Sequence, residues 1–175
     1  MSTKGSGSYT SPKVTYNYQE QLAIGKAAEA LLDAYFSRWY AIEVIPHEIE
    51  MQIHSDRLFI DPYDRQVIVE YKADYIGHKS GNIFIETMHF DRLRGWVYQT
   101  QADVLVYWVV KAGLVLAWRP GDVRARVEQW KMEYPVVGTA NETSMGSGVL
   151  VPIHVLKELA IFEGTLYEPQ AHNRS

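Results

Sequence analysis

The chain has 175 residues, of which 47% are hydrophobic and 22% are charged, and this is the composition of a folded domain with a core of its own. It contains no cysteine, which excludes disulfides, thiolate zinc sites and cysteine nucleophiles. The net charge of −4 counts mildly against a nucleic-acid binder, but the local distribution of basic residues around a site decides whether phosphate binds there.

The two ends of the chain lack the pattern of a folded element. Residues 1–15 are small and polar and predict a disordered N-terminal tail, and residues 169–175 predict a loose C-terminal tail. A single domain is therefore expected over residues 16–168. No apolar run reaches the roughly 18 residues of a membrane span, and the start has no apolar signal segment, so a cytoplasmic location is expected.

The segment between the tails begins with a helix and continues mainly with strands. Residues 18–40 place apolar side chains at helical spacing. Short apolar and β-branched runs predict strands over 41–45, 57–60, 67–71, 83–88, 104–110, 114–118 and 149–151. Further helices are predicted over 120–131 and after Pro152, with a flexible loop over 138–148. This order predicts an α/β or α+β fold of three layers, with a central mixed β-sheet flanked by helices.

One predicted antiparallel hairpin, residues 56–72, carries the charged side chains of greatest interest. Its turn, residues 62–65, contains a proline that fixes φ and an aspartate that can bond its own backbone. A turn centred in the middle of these four residues places Asp56 opposite Tyr71. One further register step would place the carboxylates of Asp56 and Glu70 side by side.

Glu70 and Lys72 are two positions apart on a strand and therefore project from the same face. Two neighbouring carboxylates, Asp56 and Glu70, repel each other unless a cation lies between them, and Mg²⁺ takes such oxygen ligands. A fixed ammonium beside them can orient an attacking water and offset the charge that develops on a phosphate. The alternative is a salt bridge on an exposed strand, but the apolar flank 67–69 favours a functional pair.

These residues resemble the core of the PD-(D/E)XK nuclease superfamily, which includes restriction enzymes and Holliday-junction resolvases. The matching segments are Asp56-Arg-Leu-Phe-Ile-Asp61 and Val67-Ile-Val-Glu-Tyr-Lys-Ala-Asp74, with Ser55 standing where the motif often has a proline. Three further segments are similar to a phage and bacterial endonuclease subgroup: Ser80-Gly-Asn-Ile-Phe-Ile-Glu86, Gly95-Trp-Val-Tyr-Gln-Thr-Gln-Ala-Asp-Val-Leu-Val-Tyr107 and Gly148-Val-Leu-Val-Pro-Ile153.

The resemblance implies a restriction endonuclease-like fold with an αβββαβ core. It also implies a Mg²⁺ cofactor, for which Mn²⁺ can substitute. In the resembling enzymes the residues that match Asp56 and Glu70 bind the metal. The residue that matches Lys72 orients the water and stabilises the transition state.

Two more acids are candidate metal ligands. Gly25-Lys-Ala-Ala-Glu29 resembles the first-helix Gly-x-x-x-Glu of resolvase-like members, whose glutamate assists the metal site, so Glu29 is a candidate catalytic and metal-binding residue. Glu20 is the alternative acid on the same helix. If the strand over 83–88 pairs with the lysine strand, Glu86 lies opposite Glu70 and joins the metal ligands; otherwise it is an ordinary solvent-facing glutamate.

A local basic patch is expected to contact DNA. His78 and Lys79, together with Arg92 and Arg94, lie in predicted loops on either side of the strand over 83–88. Their alternative interpretation is solvated loop charge.

The sequence thus predicts a Mg²⁺-dependent endonuclease that hydrolyses phosphodiester bonds in duplex or branched DNA. Because one domain carries one site and cutting both strands needs two, a homodimer or higher homo-oligomer is expected. The alternative is a catalytically silent DNA-binding or assembly module on the same fold.

Overall fold

The computed structural model of the chain describes residues 18–89, 94–141 and 144–169. The helices in these ranges are α1 Tyr18–Phe36, α2 His47–Ile53, α3 Gly77–Ser80, α4 Trp96–Gln99, α5 Pro120–Glu133 and α6 Ile153–Leu159. The strands are β1 Ala41–Val44, β2 Arg57–Ile60, β3 Gln66–Asp74, β4 Asn82–Met88, β5 Val104–Val109, β6 Leu114–Trp118, β7 Val136–Asn141, β8 Ser144–Pro152 and β9 Phe162–Thr165. None of the described helices is long and apolar enough to cross a membrane.

Six strands form a mixed sheet in the order β1-β2-β3-β5-β6-β9. Strand β3 is parallel to β5, and every other neighbouring pair in this sheet is antiparallel. The predicted mixed α/β class, with a central mixed sheet between helices, is confirmed.

Successive side chains of the central strands point to opposite faces of the sheet, and this divides the core into two layers. On β3, the side chains of Val69 and Tyr71 pack with α1, whose Ala28, Leu32 and Phe36 are buried. The other core cluster joins alternate residues of β5 and β6 to α5, α6 and the second sheet. Because successive side chains of a strand point to opposite faces, Glu70 and Lys72 face away from α1. They face the side of the sheet on which β4 and β8 lie.

A second sheet has three strands in the order β4-β8-β7. The strand over 83–88 therefore does not pair with the lysine strand, and the condition under which Glu86 would lie opposite Glu70 is not met. β3 already has β2 on one edge and β5 on the other, so no edge of β3 is free for β4. Instead, β4 pairs antiparallel with β8, from Asn82 opposite Pro152 to Met88 opposite Ser147.

The predicted flexible loop over 138–148 is also wrong, because most of it belongs to the β7–β8 hairpin. Its glycines and small polar residues are typical of a loop. Here the segment forms strands because β8 pairs with β7 on one edge and with β4 on the other. Strand β9 and helix α2 were not predicted from the sequence. Helix α2 follows Pro46 and has Glu48 and Glu50 in its first turn, which are the ordinary signals of a helix start.

The predicted first helix is shorter than expected. It ends at Phe36, and the next residues form a turn in which the amides of Trp39 and Tyr40 both donate to the carbonyl of Phe36. The predicted tail over 1–15 and, apart from Pro169, the predicted tail over 169–175 lie outside the described residues.

Candidate active site

The β2–β3 hairpin brings Asp56, the residue just before β2, next to the part of β3 that carries Glu70. Arg57 pairs with Val69, and the amide of Asp56 donates to the carbonyl of Val69 at 3.0 Å. One carboxylate oxygen of Asp56 accepts the amide hydrogen of Tyr71 at 2.7 Å. The side chain of Asp56 is therefore fixed against the backbone that carries Glu70.

The observed register differs by one step from the sequence prediction, and the turn explains why. Asp61 pairs with Arg65 through a 3.1 Å backbone hydrogen bond, so the loop has three residues and is centred on Tyr63. Asp64 has a φ of 60°, the left-handed conformation that ends such three-residue loops. The carboxylate of Asp61 accepts the amide hydrogens of Tyr63 and Arg65, which identifies Asp61 as a turn residue.

Glu70 and Lys72 form an ion pair, with 2.5 Å between Lys72 Nζ and Glu70 Oε1. The side chain of Glu70 is 7% exposed, and that of Lys72 is 33% exposed. Two charges this deep in a fold are costly unless they are paired, and each offsets part of the other's cost.

Burial dominates the electrostatics of the two acids. It raises the pKa of Glu70 to about 7; Lys72 opposes this rise and the Asp56 carboxylate adds to it. Burial also raises the pKa of Asp56, against the hydrogen bond from the Tyr71 amide and the charge of Lys72. Burial alone would lower the pKa of Lys72, but Glu70, Asp56 and Glu86 raise it above its ordinary value. The lysine is therefore charged at neutral pH.

These side chains line one cleft of about 260 Å³. Its lining residues are Glu50, Met51, His54, Ser55, Asp56, Glu70, Lys72, Glu86, His89, Trp96 and Gln99. The structure thus brings together four of the predicted site residues, Asp56, Glu70, Lys72 and Glu86.

Glu86 reaches the cleft from the second sheet, not from a strand beside β3. Its Oε1 lies 2.9 Å from Nδ1 of His89, and its Oε2 accepts the amide hydrogen of Trp96 at 3.4 Å. Glu86 is therefore a polar residue of the cleft with partners of its own, and its role as a metal ligand stays a prediction.

Glu29 is not among the residues that line this cleft. Its Oε2 accepts a hydrogen bond from Nη2 of Arg57 at 2.9 Å, and Nε of the same arginine donates to Asp33 at 2.9 Å and 3.1 Å. Arg57 is 6% exposed and also donates from Nη1 to the carbonyl oxygen of Asp56 at 3.0 Å. Through this hydrogen bond Glu29 links α1 to Arg57, the first residue of β2. The alternative acid, Glu20, lies in the first turn of α1 among residues whose side chains are not described.

The predicted basic patch does not gather at the cleft. His78 and Lys79 are exposed on α3, and Arg94 is exposed after β4; none of the three lines the cleft. Arg92 lies outside the described residues. The structure therefore gives no DNA-binding role to the three described basic residues, and that role stays a prediction for them.

Several cleft residues that lie on α2 and after β4 were not predicted from the sequence. Glu50, Met51 and His54 are placed there by α2, and His89 follows β4. The six histidines of the chain show no paired metal-binding spacing, so nothing local in the sequence marks His54 or His89.

The donor set of the cleft suits a hard divalent cation. Asp56 and Glu70 offer carboxylate oxygens from facing strands, and Mg²⁺ in proteins commonly uses only one or two carboxylates and completes its shell with water and phosphate oxygens. Within the described ranges, no group of three or more histidine, aspartate or glutamate side chains stands in a ready-made metal-binding arrangement. A cation at this site would therefore be held by few protein ligands.

Comparison with known proteins finds no protein-family model, no curated protein and no solved structure that matches this chain. Membership of the PD-(D/E)XK superfamily therefore stays a prediction from the sequence motif. Function is therefore inferred from the geometry of the cleft.

Proposed function

We propose that this protein is a divalent-cation-dependent endonuclease that hydrolyses phosphodiester bonds in DNA. The observation that carries the proposal is the meeting of Asp56, Glu70 and Lys72 in one cleft, two carboxylates on facing strands with an ammonium beside them. A surface salt bridge would need only one acid and no cleft, so the second carboxylate favours a site over simple strand stabilisation.

Asp56 and Glu70 are the residues that would hold Mg²⁺, with Glu86 as the nearest further acid in the cleft. When bound, the cation would supply positive charge at the phosphate and lower the pKa of a coordinated water. The tendency of both acids to bind a proton, caused by burial, is what a bound cation would reverse.

Lys72 acts as a donor rather than as a base, because Glu70 keeps it protonated. Its ammonium orients the attacking water and meets the negative charge that grows on the phosphate oxygens. In the reaction, the water gives up one proton to solvent as its oxygen forms a bond to phosphorus. The bond from phosphorus to one ester oxygen breaks, and that oxygen takes up one proton from solvent and leaves as a hydroxyl group. The strand that carries Lys72 pairs with β2 over residues 66–69 and with β5 over residues 69–74, where Lys72 lies opposite Tyr107.

Cleavage assays test the proposal directly. Supercoiled plasmid, linear duplex, single strands and a four-way junction are incubated with Mg²⁺, with Mn²⁺ and with a chelator. We expect cleavage of at least one substrate with either metal and none with the chelator. Lys131→Ala, which removes a half-buried lysine of α5 that is paired with Glu128 and does not line the cleft, is the control for Lys72→Ala and should cut like the natural protein. Failure to cut any substrate would favour a catalytically silent DNA-binding or assembly module.

A homodimer is part of the proposal, since one cleft per chain must act twice to cut a duplex. Sedimentation equilibrium with and without DNA tests it. A monomer that makes only single-strand nicks would remove this part and leave the nuclease proposal intact.

A further inference from the structure

His54 occupies an unusual backbone position at the rim of the cleft. It ends α2 with φ 50° and ψ 57°, and its amide donates to the carbonyl of Glu50 at 2.7 Å. This left-handed region suits glycine, and a residue with a side chain is strained there. Such strain in other proteins persists mostly where the side chain has a task.

Hydrogen bonds on both sides of His54 hold its backbone in this conformation. The amide of Gln101 donates to the carbonyl of Ile53 at 2.9 Å, and the buried hydroxyl of Ser55 donates to the same carbonyl at 3.2 Å. Asp56 follows at once and is tied to β3. The direction of the His54 side chain is thus set by the same backbone that positions the first acid of the site.

The imidazole of His54 is a hydrogen-bond donor of the cleft that is not already used. Lys72 is paired with Glu70, and His89 is paired with Glu86. Among the described residues, no hydrogen bond or ion pair involves the ring of His54. The imidazole carries at least one N–H in either protonation state, so it can donate to a phosphate oxygen in both.

We infer that His54 binds a phosphate of the DNA strand that enters the cleft, next to the phosphate that is cut. This inference rests on the proposed nuclease function and adds a substrate contact to it. The cleft is rich in carboxylates, which repel phosphate, so a donor fixed at its rim supplies attraction that Asp56, Glu70 and Glu86 cannot. His54 is not assigned to the metal or to proton transfer.

The test replaces His54 with glycine, which suits the backbone and removes only the ring. Asp64→Gly is the matched control, because Asp64 is the other described residue with a side chain at positive φ, and it is exposed at the hairpin turn. Steady-state cleavage of the best substrate gives kcat, KM and the Mg²⁺ concentration for half-maximal rate, and thermal melting gives the unfolding midpoint.

We expect His54→Gly to keep the unfolding midpoint or raise it, and to raise KM for DNA by roughly 10- to 100-fold, the range for one lost hydrogen bond to a charged group. The kcat and the Mg²⁺ requirement should stay within about threefold of the natural protein, since neither depends on this contact. Asp64→Gly should leave all the kinetic values unchanged. His54→Asn, which keeps a donor and tolerates the same backbone, should recover part of the affinity.

Several results would overturn the inference while the nuclease proposal stands. An unchanged KM in His54→Gly would mean that the ring does not touch the substrate. A raised Mg²⁺ requirement would make His54 a metal ligand, and a lowered unfolding midpoint that accounts for the loss of activity would make its role structural. If the natural protein cuts no DNA with either metal, the proposed function itself fails, and the inference fails with it.

Discussion

Glu70→Gln should stabilise the metal-free protein while it abolishes cleavage. The folded protein raises the pKa of Glu70 from 4.5 to about 7, which corresponds to a penalty of about 3 kcal/mol on the ionised carboxylate. Because the folded pKa lies above the unfolded one, the folded state loses stability as pH rises from about 4.5 to about 7, and the full penalty applies above that range. Glutamine is never ionised, so it escapes this penalty.

The expected gain in the free energy of unfolding is therefore pH-dependent. Near pH 4.5 the variant and the natural protein should differ by less than about 1 kcal/mol, and at about pH 8 the variant should be more stable by up to about 3 kcal/mol. The side chain of Glu70 is only 7% exposed, so water screens little of this effect. Saturating Mg²⁺ should stabilise the natural protein and not the variant, which narrows the difference.

Denaturant unfolding at several pH values, with a chelator or with Mg²⁺, measures these differences. Glu43→Gln is the control, because Glu43 is exposed on β1 and the same substitution there should change stability by less than about 0.5 kcal/mol at any pH. A Glu70→Gln variant that is less stable than the natural protein at about pH 8, or whose difference does not vary with pH, would refute the reasoning about buried charge.

Three further substitutions examine the site and its support. Lys72→Ala should keep the fold and metal binding but slow cleavage by roughly 10²- to 10³-fold or more, measured as single-turnover rates, and normal cutting would show that the site is assigned wrongly. Asp56→Asn should weaken Mn²⁺ binding by about tenfold or more in calorimetry, because it removes one ligand charge, and equal affinity would place the metal elsewhere. Arg57→Met should cost on the order of 3 kcal/mol of unfolding free energy, because it leaves Glu29 and Asp33 without their buried partner. The triple variant with Glu29→Gln and Asp33→Asn should recover part of that loss, and no recovery would mean that lost packing causes it.

Local patterns were sufficient to predict the hairpin that carries the site. The turn residues and the period of two along residues 67–72 required an antiparallel pair, and they placed Glu70 and Lys72 on one face. The predicted register of the hairpin differs by one residue from the observed one. The reason is that the choice between a loop of three residues and a turn of four depends on whether Asp64 adopts positive φ. The backbone conformation of this one turn residue therefore decides the register of the hairpin.

Local sequence patterns could not predict which strands pair with each other. Residues 83–88 have the same alternating pattern whether they pair with β3 or with β8, because the pattern reports one buried face and not the identity of the neighbour. The parallel pairing of β3 with β5 takes the edge that β4 would have used. That outcome depends on contacts between residues far apart in the chain.

The sequence by itself determined the mixed α/β class and the shared face of Glu70 and Lys72, because both follow from short-range periodicity. Only the tertiary structure decided that Glu86 and His54 join the cleft from β4 and α2. It also decided that Glu29 binds Arg57 behind the site. The physical reason is that a side chain's partners are set by how sheets and helices pack across the core, and the free energy of that packing is a property of the whole fold.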